Sequence, residues 1–219
     1  MHVKIPAIAA LFAAALHCGE AYAQTADENR MRAFMKSNFY SGLINQALVN
    51  LPQSVFQRCP TLVSNGSRTT VLKPISFATD GFPNAGSWKQ SFPVSGCGND
   101  TILNFYFSAT SDEKINTIVG VPGTTHADLT LQRDAVLYAN LGATLAVKVC
   151  KTFIVKNSRF EGYGIPKPPI ADPGPRNPRR PWRETWTMVG CNHTIDIPIY
   201  FVPDAKGTQI IQPGGAVER

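Results

Sequence analysis

Beyond residue 23 the chain holds two histidines, His126 and His193, and four cysteines, Cys59, Cys97, Cys150 and Cys191. Acid/base, metal and thiol chemistry must be sought among these and the carboxylates. A zinc site needs three or four convergent ligands, and no CxxC, HExxH or comparable cluster occurs, so neither a metal nor a cofactor is expected. Ser-nucleophile chemistry finds no GxSxG elbow. Ser111-Asp-Glu-Lys114 has the SxxK spacing, yet that motif acts from a helix, and here it lies in a polar run that reads as a hairpin turn. Asp80, Asp100, Glu161, Glu184, Asp196 and Asp204 are the carboxylates open to a glycosidase-like pair, whose separation of about 5–9 Å only a fold can supply. Without a motif, such carboxylates read as surface charges, and no catalytic residue is assigned.

The cysteines are read through their compartment. Met1-His-Val-Lys4 is a short positive region, Ile5 to Leu16 an apolar run too short to span a bilayer, and Ala21-Tyr-Ala23 a small-x-small cleavage site. Residues 1–23 are therefore expected to be a signal peptide and the mature chain to begin at Gln24, in a periplasm or outside the cell. His17 before Cys18 argues against lipidation, because a small residue is needed there. No later stretch reaches membrane-spanning length, so no transmembrane segment is expected after signal removal. In an oxidising compartment four cysteines imply two disulfides, with three connectivities open.

An internal repeat supplies a preference. Trp88, Gly96, Cys97, Tyr106 and Phe107 recur without a gap as Trp182, Gly190, Cys191, Tyr200 and Phe201. Upstream, Cys59-Pro-Thr-Leu-Val63 matches Cys150-Lys-Thr-Phe-Ile154. If each half folds as a unit, Cys59 pairs with Cys97 and Cys150 with Cys191. Each bridge then closes a loop of about 40 residues, for which chain entropy gives roughly 4 kcal/mol of stabilisation.

The elements that carry these residues follow from apolar spacing. Residues 27–49 have a helical pattern interrupted near Ser41-Gly42, and 61–63, 69–77, 88–95 and 101–109 are strand-like. Residues 128–149 form the second helix, with Leu137, Leu141 and Leu145 spaced by four and Asp128 or Thr130 as cap. Strand patterns return at 152–156, 184–189, 194–202 and 208–211, and Pro198 implies an edge or a bulge. The expected fold is α+β: two tandem related units, residues 24–120 and 121–219, each a helix followed by a small antiparallel sheet with one disulfide. Trp88 and Trp182 are expected in the core.

The halves differ most at 165–181, where seven prolines lead into Arg176-Asn-Pro-Arg-Arg180-Pro-Trp182-Arg183. Proline-rich chain is stiff and displays its side chains at little ordering cost. Arg176, Arg179, Arg180, Trp182, Arg183 and Trp186 are thus the candidate binding residues. The chain is 43% hydrophobic and 16% charged with net charge +6, ordinary for a globular protein and compatible with an acidic partner. A protein partner or an anionic surface is expected, and nucleic acid is not. The composite reading is a non-catalytic periplasmic or secreted binding protein, with a carboxylate-using envelope hydrolase or a structural subunit of an envelope assembly as the alternatives.

Overall fold

The computed structural model describes residues 26–51, 61–96, 100–164, 180–204, 207–211 and 215–219. Helix α1 covers residues 26–35 and α2 Asn38–Val49. They precede strands β1 (Val63–Ser64), β2 (Arg68–Phe77), β3 (Pro83–Ser95), β4 (Thr101–Thr110) and β5 (Lys114–Val119). Helix α3 (Leu129–Ala146) comes next, then β6 (Ile154–Tyr163), β7 (Trp182–Gly190), β8 (His193–Asp204), β9 (Gly207–Ile211) and β10 (Val217–Glu218). One five-stranded sheet runs β1-β3-β4-β5 with β2 also on β3; the other runs β10-β8-β7-β6 with β9 also on β8. Every pair with a described register is antiparallel, giving the mixed helical and antiparallel fold class expected. The described residues form two compact units, those within 26–49, 70–89 and 106–118 in one, and those within 50–69, 90–105 and 119–219 in the other.

Local chemistry accounts for the element ends. The first helical stretch breaks at Lys36-Ser37, not at Ser41-Gly42, because the Ser37 hydroxyl accepts from Tyr40 N at 3.1 Å and caps α2. Asp128 caps α3, its Oδ1 accepting from Leu131 N at 3.0 Å. Ser111 to Glu113 form the turn expected of them, and the unexpected strand β5 follows. Pro198 falls where β8 pairs with β7 but lies between β10, which ends its pairing at Asp196, and β9, which starts at Tyr200. A residue without an N–H costs nothing in that gap.

In the first unit the core is aromatic. Trp88 stacks on Phe107 with centroids 5.3 Å apart and planes 18° apart, and Phe34 and Tyr40 close over them. The second unit repeats the stack: Trp182 lies on Phe201 at 4.7 Å and 11°. Its sheet buries alternate residues, Trp182, Glu184, Trp186 and Met188 of β7 beside Phe201, Ile199, Ile197 and Ile195 of β8. Helix α3 covers that face with small residues, Ala135, Ala139, Gly142 and Ala143. The Cys150–Cys191 disulfide, with Cα atoms 5.8 Å apart, is the pairing expected. Cys59 and Cys97 lie outside the described residues.

A buried polar seam ties the rest of this unit. Residues 120–124 run between β4 and β6, with Gly120 N and Gly123 N donating to Asn104 O and Ile102 O, and Ser158 N donating to Pro122 O, all at 2.8 Å. Asn104 Nδ2 reaches the carbonyls of Val121 and Gly123, and Gln132 Oε1 on α3 accepts from Val121 N. Only glycine fits at 123: φ is +104° and a Cβ would stand 2.0 Å from Ser158 O.

Candidate functional site

Strand alternation decides the fate of the aromatic residues assigned to binding. Trp182 and Trp186 share the inward face of β7, where they are 7% and 0% exposed, so neither ring is open to a partner. Glu184 lies between them, 1% exposed. Its Oε1 accepts from Trp182 Nε1 and from His126 N, and its Oε2 from Trp186 Nε1, all at 2.8 Å. Three N–H donors occupy both oxygens. This is how a carboxylate is held in a core, and it suits anchoring.

The arginines divide differently. Arg180 and Arg183 are exposed at the start of β7, and Arg176 and Arg179 lie outside the described residues. On the outer face Arg159 bridges Glu161 at 2.7 Å. Partial burial pushes the Glu161 carboxyl up, but hydrogen bonds from Thr185 and Arg159 and the charges of Arg159 and Arg183 outweigh it, leaving it below its ordinary value.

Three residues that sequence reasoning missed cluster on the other face of the same strand end. The His126 ring stacks on Phe160 at 3.9 Å and 11°, with its Nδ1 3.4 Å from the Tyr163 hydroxyl. Tyr163 is 61% exposed and meets Phe160 edge-on at 5.1 Å. Phe160 and Tyr163 differ by three in sequence, so a regular strand would put them on opposite faces. A bulge between Phe160 and Gly162 corrects the parity: Phe160 pairs with Glu184 and Tyr163 with Trp182, both on the inward face. Glu184 then fixes the backbone of His126 beside them. The signal for this cluster was the flanking of Tyr163 by Gly162 and Gly164 within a strand pattern. Gly164 N donates to Pro181 O at 2.7 Å, which joins the two strand ends where Tyr163 and Arg180 stand.

His193 sits elsewhere, paired with Glu218, while Arg219 binds Asp196; together they hold β10 against β8. Among the described residues no group of three or more His, Cys, Asp and Glu is placed to hold a metal ion. Among them, too, no helix is long and apolar enough to cross a membrane. No family model matches the chain, no curated protein matches it, and no solved structure matches its fold.

Proposed function

We propose that the chain is a non-catalytic binding protein of the periplasm or the cell exterior, which engages a protein or an anionic surface through the Tyr163 end of its second sheet. The observation that carries this reading is the exposed Tyr163 beside His126 at the sheet end that Gly164 N and Pro181 O join next to exposed Arg180, with Arg183 exposed on the opposite face of the same strand end. Arginine pairs bidentately with carboxylates and phosphates, and arginine and tyrosine are over-represented where interface energy concentrates. Arg176 and Arg179 add two more positive charges to the proline-rich segment that leads into Arg180. Trp182 and Trp186 contribute beneath it, by holding Glu184 and through it His126. The Cys150–Cys191 bridge and the signal-like first 23 residues support the oxidising compartment. We read the two stretches with matched Trp–Phe stacks as tandem copies of one unit, the first closed by a Cys59–Cys97 bridge.

The test is retention of the mature chain on envelope fractions and on vesicles of anionic and neutral lipid. Arg180→Ser/Arg183→Ser and Tyr163→Ser should each weaken retention by about 1–3 kcal/mol while the melting temperature holds. Retention by the wild type should also fall as salt rises. Retention indifferent to both variants and to salt would retire this surface. A structural subunit of an envelope assembly is the second reading, favoured by the exposed apolar stripe on α3.

A further inference from the structure

Helix α3 is inside out by the usual measure. Its face against the sheet carries Ala135, Ala139, Gly142 and Ala143, while Leu137, Leu141 and Leu145 on the outer face are 67%, 56% and 67% exposed. Tyr138 and Val149 are exposed beside them. A helix face that stays in water carries charged and polar residues; a continuous leucine ridge spaced by four is a packing surface.

We propose that this ridge is the interface of a homodimer in which two copies of α3 pack antiparallel about a two-fold axis at Leu141. The surface is complementary to itself. Asp134 and Lys148 stand seven residues to either side of Leu141, so in the antiparallel register Asp134 of each copy meets Lys148 of the other at both ends of the ridge. Leu137 of each copy then lies against Leu145 of the other. Asp134 has room for this second cation: Arg133 holds it at 3.2 Å and 43% of its side chain remains exposed. Lys148 is exposed just past the helix end. At the shallow crossing of about 20° used by helix bundles the stripe stays in contact along its length, and opposed helix dipoles favour the antiparallel arrangement. A two-fold contact closes on itself and leaves no ridge free for further growth. Two such stripes remove on the order of 1,000 Å2 from water, the lower bound for a specific interface, so a dimer that dissociates on dilution is expected. This surface stands apart from the arginine–tyrosine cluster and does not depend on it.

The experiment is sedimentation equilibrium of the mature chain with its disulfides intact, across a concentration series. The wild type should dimerise. Leu141→Lys, which places two like charges at the axis, should raise the dimer dissociation constant by roughly a hundredfold with the circular dichroism unchanged. Asp134→Lys and Lys148→Asp should each weaken the dimer, and the double exchange should restore it. Leu141→Cys should cross-link to itself through a short bismaleimide. A monomer at every concentration overturns the proposal, as does a dimer indifferent to Leu141→Lys, or a ridge that binds lipid vesicles while the chain stays monomeric. Charge exchange without rescue overturns the antiparallel register.

Discussion

The two aromatic cores share a stack and differ in the polar group below it. In both, a tryptophan lies nearly parallel on a phenylalanine nineteen residues further on, Trp88 on Phe107 and Trp182 on Phe201. Two residues past each tryptophan the strand buries a polar side chain, Gln90 in β3 and Glu184 in β7. Gln90 spends its amide on Thr69 Oγ1 at 2.7 Å and Ser67 Oγ at 2.8 Å, pinning neighbouring chain segments. Glu184 gathers two indole N–H groups and the His126 backbone. The neutral amide stitches the scaffold, whereas the carboxylate positions a loop whose histidine reaches the surface. An amide two residues past one tryptophan thus makes a structural bond, and a carboxylate two residues past the other supports an exposed cluster.

The largest expected effect tests that contrast directly. Glu184→Ala leaves the two indole donors and the His126 N–H buried without a partner, and should cost about 3–5 kcal/mol of stability. Gln90→Ala, whose lost partners are hydroxyls only partly buried, should cost about 1–2 kcal/mol. Chemical denaturation of the two variants measures the difference. Equal costs would break the comparison, since they would make Glu184 no more than another Gln90.

Next come the matched glycines. Gly96 and Gly190 immediately precede Cys97 and Cys191, and a Cβ on either would stand 2.3 Å from a threonine carbonyl, that of Thr61 or Thr152. The glycine lets two chain segments approach beside the cysteine. Gly190→Ala should therefore cost about 2–4 kcal/mol, and Gly96→Ala somewhat more because φ there is +130°. Thermal unfolding of both variants sharpens the match: a large cost at one position and none at the other would confine the close approach to a single half.

The parts of this architecture that were legible in sequence are those set by spacing within one element. Asp128 reads as a cap because a carboxylate precedes an apolar helical run, and the repeat adds the burial of Trp88 and Trp182 and the Cys150–Cys191 pairing. What was illegible depends on how elements turn toward one another. Leucines spaced by four identify α3 as a helix, but the small residues between them form the buried face. Trp186 reads as a surface specialisation because it stands with the arginine-rich segment that sets the second half apart, and only its burial, with its indole donating to Glu184, makes it core. The His126–Phe160–Tyr163 cluster joins residues more than thirty positions apart through a bulge that reverses strand parity, which no local pattern encodes.

The smallest effect at neutral pH concerns the first core, where no carboxylate serves the tryptophan. Burial pushes the Tyr40 hydroxyl up to about 12, and the adjacent Trp88 indole offsets this only in part. Neither group meets a partner with hydrogen-bond geometry among the described residues. Removing the hydroxyl by Tyr40→Phe should then change stability by less than about 1 kcal/mol at pH 7, or raise it slightly, since a buried polar atom is lost with no bond broken. Alkaline pH separates the variants. A raised folded pKa means the unfolded chain ionises first, so the wild type keeps its full stability below the ordinary tyrosine value of about 10. It loses stability as pH climbs from there toward about 12. Tyr40→Phe lacks this loss, and its denaturation midpoint should fall less steeply over that interval. Parallel alkaline slopes for the two proteins would mean that the hydroxyl is solvated or bonded, and that the first core, like the second, satisfies its polar groups.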